Sequence, residues 1–188
     1  MEVVISRFNE NLDWVSRLNP DISIKVYNKG NTLNFPSTKL DNIGRESDTF
    51  LRYVVETYPH FNTHTAFLQG NPFYHMSNVV EVINNHFEDR LVYLSNKIVT
   101  NDNAGCPCHC GLPIETASMK LGVHANDYTF AAGAQYIVPK RLILAKPLEW
   151  WEKALTLHNT PSLPYRGNIN QAPWVFERLW PNIWNLAL

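Results

Sequence analysis

The chain has 188 residues, 45% of them hydrophobic and 12% aromatic, enough to bury the core of one sizeable domain spanning 1–188. Sixteen basic residues against 17 acidic ones leave a net charge of −1, which gives no electrostatic footprint for nucleic acid or an anionic membrane. The N-terminus lacks the basic and apolar regions of a signal peptide, no stretch approaches about 18 continuous apolar residues, and all three Cys crowd into 106–110. The expectation is a cytoplasmic protein with no membrane span.

Glu2–Ile5 reads as a short strand, and Leu12, Trp14, Val15 and Leu18 then carry the spacing of a helical face. Asn19-Pro20-Asp21 stops that helix, and alternating Ile22, Ile24 and Val26 predict a second strand ending at Tyr27-Asn28-Lys29-Gly30. Residues 31–41 read as a loop. Phe50, Leu51, Val54 and Val55 predict a helix that places Asn42-Ile43-Gly44-Arg45 at its start, where unbonded backbone N–H groups favour an anion. Arg45 and Glu46 equally suit an ordinary solvated helix start.

The run Thr65–Leu68 predicts a buried strand that must turn at Gly70-Asn71-Pro72, leaving Gln69, Asn71 and His75 just past its end. Ligands bind at such strand ends in open α/β sheets, although Gln69 and Asn71 would also serve a tight turn. Ser77 can cap a helix running to Phe87, and Leu91–Leu94 is a further strand or that helix's tail. Residues 95–115 read as one long loop. Cys106, Cys108 and Cys110 lack the spacing of a tetrahedral zinc site, so free thiols are expected there. Tyr128–Pro139 predicts one strand with small residues at its centre, where something approaches the backbone closely. Leu142–Ala145 and Pro147–Leu157 predict one or two helices, and 160–171 a loop. A short helix over Trp174–Trp180 surrounds Glu177 and Arg178 with large apolar side chains. There Glu177 is either a structural ion pair or a general base tuned by partial burial.

Strands alternating with helices from the start predict a single-domain α/β fold with a mostly parallel, mixed sheet flanked by helices. Six blocks in order (Val4–Glu10, Tyr27–Gly30, Asn42–Glu46, Phe67–Phe73, Gly133–Val138 and Glu177–Trp180) resemble an uncharacterised family of fungi, algae and large DNA viruses. Its layout looks like a minimal GT-A glycosyltransferase. The resemblance implies transfer of a sugar from a nucleotide-diphosphate donor to a hydroxyl of a glycan or other acceptor; a non-catalytic nucleotide-sugar or carbohydrate binding module on the same fold is the alternative. It implies that Ser6, Arg7, Asn9, Glu10, Asn28 and Lys29 form the nucleotide pocket, with Asn42, Gly44 and Arg45 at the helix start also binding the nucleotide-sugar. Gln69, Gly70, Asn71, Gly133, Ala134 and Gln135 would line the diphosphate and acceptor end, with Glu177 as the base. One departure is that Gln69-Gly70-Asn71 stands where an Asp-x-Asp motif is expected. Mn²⁺ or Mg²⁺ prefers carboxylate oxygens, so Asn71 and His75 are weak metal candidates, and Arg7, Lys29 or Arg45 could neutralise the diphosphate instead. A metal-dependent hydrolase using His75, His109 and His124 is a remoter reading, because these lack zincin-like spacing.

Overall fold

The computed structural model describes residues 1–101, 111–123, 128–160 and 170–184. Val3, Val4 and Ile5 form the middle of strand β1 (Glu2–Arg7), each with no exposed surface. A strand buried on both faces reads as an unbroken apolar run, and β1 is such a strand. It pairs in parallel with β2 (Ser23–Asn28) on one side and β4 (His64–Gln69) on the other. The two-residue β3 (Thr38–Lys39) extends the parallel side. Beyond β4, β8 (Tyr136–Pro139) runs antiparallel, and β5 (Val92–Tyr93) pairs antiparallel with it, giving the order β3-β2-β1-β4-β8-β5. β6 (Ile98–Asn101) and β7 (Tyr128–Ala131) form a separate antiparallel ribbon. The fold is α/β with a mixed sheet flanked by helices, as expected, and the sheet has six strands.

Alternate side chains feed two cores. Val4, Tyr27, Phe67 and Tyr136 face α1 (Arg45–Thr57), α3 (Ile114–Leu121), α5 (Leu148–Asn159) and α6 (Ala172–Trp184). Val3, Ile5, Val26, Ala66 and Leu68 face Trp14 and Val15 and the short α2 (Val79–Asn84). On α6, Trp184 stacks on Phe67 at 5.5 Å and on Trp180 at 4.9 Å, so a ladder of rings seats this helix on the sheet. Burying each such ring stabilises the fold by roughly 1.5–3 kcal/mol, and that fixes where Glu177 stands.

Several expectations are corrected. The helix expected over Leu12–Leu18 is a five-residue 3₁₀ turn, Asp13–Arg17; Leu12, Trp14, Val15 and Leu18 are buried as the spacing required, but Pro20 leaves too little chain for an α-helix. The helix expected to reach Phe87 ends at Asn84, its N-cap is Asn78 rather than Ser77, and Phe87 is 87% exposed. Leu91–Leu94 contains a strand, β5. The single strand expected over Tyr128–Pro139 is two, because Gly133 (φ +90°) and Ala134 (φ +55°) turn the chain back between β7 and β8. The loop over 31–41 contains β3, and the one over 95–115 contains β6 and the first turn of α3. The helix α4 (Lys140–Leu144) begins two residues early and α6 extends past both expected ends. Cys106, Cys108, Cys110, His109 and His124 lie outside the described residues.

Candidate functional site

The strand order reverses between β1 and β4, and the chain leaves both at their carboxyl ends. A cleft opens there in two lobes. The first, of about 330 Å³, lies between the ends of β1 and β4 and the start of α1, with Ser6, Phe8, Glu10, Asn42 and Glu46 on its walls. The second, of about 360 Å³, continues past Arg45, Glu46 and Gln69 to Tyr74, His75, Gly133, Trp174 and Glu177. Arg45, Glu46 and Gln69 line both lobes.

Three basic side chains reach the first lobe, and two are committed elsewhere. Arg7 Nε donates to the Glu10 carbonyl at 2.9 Å, while its Nη1 donates to Asn28 Oδ1 at 2.7 Å and to the Phe8 and Asn31 carbonyls at 3.0 Å each. Asn28 Nδ2 donates to the Asn31 carbonyl, and Asn9 Oδ1 accepts the Asn31 N–H. Arg7, Asn9 and Asn28 thus tie the loops after β1 and β2 together. Gly30 permits this approach, since a Cβ there would lie 1.6 Å from the Phe8 carbonyl oxygen. Lys29 is buried, and its Nζ donates to the carbonyls of Ile43 and Arg45 at 2.6 Å and to Asp48 Oδ2 at 2.9 Å. Burial lowers its pKa, with Asp48 opposing that shift.

Arg45 differs. Its guanidinium is 59% exposed, 5.6 Å over the Trp174 ring, with Nε 3.7 Å from Glu46 Oε2. Gly44 (φ +65°) and Arg45 (φ +51°) both adopt left-handed backbone, so the chain swings into α1 at the cleft wall. Gly44 has no substitute there, because His158 Cε1 lies 2.4 Å from where its Cβ would be.

At the end of β4, Gln69 Nε2 donates to the Gly133 carbonyl at 3.0 Å, and its backbone N–H reaches Gln135 Oε1 at 3.2 Å. Gln135, wholly buried, also donates to the Leu94 carbonyl, so it locks β4 to the turn before β8. The Gly70 carbonyl accepts from Trp14 Nε1 at 3.0 Å. Buried Ala134 completes the turn. Gly133 is the close approach anticipated in this stretch: a Cβ would meet the His75 ring at 2.4 Å, and its N–H donates to Glu177 Oε1 at 2.8 Å. Arg178 Nη1 donates to Glu177 Oε2 at 2.9 Å, so Glu177, 16% exposed, is both ion-paired and at the cleft edge.

A divalent cation finds a poor donor set at the end of β4. Gln69 gives its amide N–H to Gly133, and Asn71 lines a different depression, with Glu10, Trp14 and Phe73, from the lobe lined by His75. No group of three His, Cys, Asp or Glu residues able to hold a metal occurs among the described residues. Charge on a ligand there falls to Arg45 and to the N–H groups that open α1.

Glu46, which the sequence presents only as a helix start, is the functional candidate that pattern reading misses. It is 9% exposed, and burial pushes its pKa up to about 7, with Arg45 and its own N–H pulling downward and Glu177 pushing further up. No local signal marks it: Glu46–Thr49 is a polar run before Phe50, yet Ser47, Asp48 and Thr49 are wholly buried.

A family model described as "Protein of unknown function (DUF3431)" matches residues 3–118, more than half of the chain. The matched span carries the first lobe and Glu46; Gly133, Gln135 and Glu177 lie beyond it. No curated protein and no solved structure matches the chain. Among the described residues no helix is long and apolar enough to cross a membrane.

Proposed function

We propose that this chain, which belongs to the DUF3431 family of proteins of unknown function, transfers a sugar from a nucleotide diphosphate to a hydroxyl acceptor. One observation carries the reading: the two-lobed cleft lies across the carboxyl ends of β1 and β4, and the exposed Arg45 and the N-terminus of α1 open into it. Nucleotides occupy that position in open α/β sheets, and helix N-terminal N–H groups with an arginine suit a diphosphate. Phe8, 46% exposed on the first lobe, offers its ring to a nucleobase, and Tyr74, 86% exposed on the second, offers one to an acceptor sugar. The mixed sheet with helices on both faces is compatible with the GT-A-like layout that the sequence suggests. Glu46 and Glu177 flank the second lobe, and transfer with inversion calls for a base there, a role open to either, to take the acceptor's proton. A binding module without turnover is the second reading, favoured by the amide-only end of β4 and by the commitment of Arg7 and Lys29 to backbone carbonyls.

Thermal unfolding with UDP, GDP, UDP-glucose and GDP-mannose, with and without Mn²⁺, tests binding. A ligand at a hundred times its Kd stabilises the native state by about 2.7 kcal/mol. Arg45→Ala is expected to weaken diphosphate binding about tenfold or more, from the loss of a charge-assisted contact. Absence of any shift, or full binding by Arg45→Ala, rejects the site. Release of free sugar from a bound donor separates the enzyme from the binder.

A further inference from the structure

The geometry points to Glu46 as the group that takes the proton from the acceptor hydroxyl, with Glu177 as a positioning residue; this rests on the transferase reading above. Glu46 lines both lobes and therefore stands where donor and acceptor meet, whereas Glu177 lines the second lobe alone. The two carboxylates are held differently. Glu177 gives one oxygen to the Gly133 N–H and the other to Arg178, an arrangement that occupies both oxygens and clamps the Gly133 turn against His75. The Glu46 carboxylate has its own backbone N–H and the guanidinium of Arg45, at 3.7 Å, for support.

The charged groups acting on Glu46 are Arg45 from its own helix, Lys29 from the end of β2 and Glu177 from α6; Arg7 and Glu10 share its first lobe and His75 its second. Burial dominates and brings its pKa to about 7, where a carboxylate is basic enough to accept a hydroxyl proton yet is ionised in a large fraction of molecules. In a single displacement, the acceptor oxygen bonds to the anomeric carbon and the bond from that carbon to the diphosphate oxygen breaks. The bonding pair leaves with the diphosphate beside Arg45, and the hydroxyl proton moves to Glu46. Both carboxylates are required in the lobe, but for different reasons.

The test uses the full chain with UDP-glucose and GDP-mannose as donors, comparing Glu46→Gln, Glu46→Asp and Glu177→Gln. Glu46→Gln is expected to cut turnover by about 10²–10⁴-fold and to abolish the acid limb near pH 7, while diphosphate binding persists. Glu46→Asp keeps the limb at a reduced rate, and Glu177→Gln keeps the limb whatever its rate. In protein labelled with ¹³C at glutamate carboxyls, one resonance titrating near 7 is expected to vanish in Glu46→Gln and persist in Glu177→Gln. Turnover with an intact acid limb in Glu46→Gln, or loss of the limb in Glu177→Gln, overturns the assignment alone. No turnover by the unmodified protein sinks the transferase reading and the assignment with it.

Discussion

Glu46 and Asp48 sit two residues apart in the first turn of α1, both buried, and their surroundings push them in opposite directions. Asp48 is wholly buried and meets Lys29 Nζ at 2.9 Å, Arg52 Nε at 3.0 Å and Asn159 Nδ2 at 2.8 Å. Burial alone would raise its pKa, but Lys29, Asn159 and Arg52 outweigh that and hold it below the usual carboxylate value. Glu46 faces the cleft with Arg45 more distant, and there burial wins. One carboxylate completes a structural knot joining β2, α1 and α5; its neighbour at the wall of a cavity has only Arg45, at 3.7 Å, and its own N–H, too little to offset burial. Depth of burial therefore does not set the direction of the shift here. The completeness of their partners does.

The largest expected effect comes from breaking the knot. Asp48→Ala strands the Lys29 ammonium, which is 3% exposed, and is expected to cost about 3–5 kcal/mol in urea unfolding. A loss below about 1 kcal/mol would mean that the knot is not the structural side of the comparison. Glu46→Gln should act in the opposite sense and depend on pH. With its pKa raised from about 4.5 to about 7, the native state keeps a proton that the unfolded chain releases, so stability falls as pH climbs through that window. Removing the group is expected to stabilise the protein at pH 8 by up to about 3 kcal/mol, and by little at pH 4.5. Equal effects at both pH values would show that Glu46 is not held as described.

His158 slopes the other way. It is wholly buried beside Gly44, and burial lowers its pKa to about 4, so the native state refuses a proton that the unfolded chain takes. Its contribution is complete above about 6.5 and is lost as pH falls toward 4. The contributions of Glu46 and His158 offset each other between about pH 4.5 and 6.5, so the unmodified protein should show a shallow profile there. Glu46→Gln should then expose the acid loss due to His158, as a slope of rising stability with pH. The smallest effect is expected at Asn71. It is exposed and lines a depression that shares only Glu10 with the cleft, so Asn71→Ala should change neither diphosphate binding nor stability by more than about 0.5 kcal/mol.

Strands β1, β2 and β4 were legible because their signals are local: a β-branched or alternating run closed by Gly, Asn or Pro. The same holds for α5, opened by Pro147, and for the start of α1 after Asn42-Ile43-Gly44. Placing Ser6, Gln69 and Arg45 at strand and helix ends was enough to bring them to one cleft. What the tertiary structure alone decided was the state of each polar group. Arg7 and Lys29 look like free cations in the sequence, yet their acceptors at Asn31, Ile43 and Asp48 lie 14 to 24 residues away, and no local pattern marks them. Tyr128–Pro139 reads as one strand because its apolar content is continuous, and it is divided by two left-handed residues whose turn is held by Gln69 and Glu177 from distant elements. Glu46 follows the same logic: the sequence puts a carboxylate at a helix start, but only the tertiary packing around the cleft removes it from water further than Arg45, at 3.7 Å, offsets.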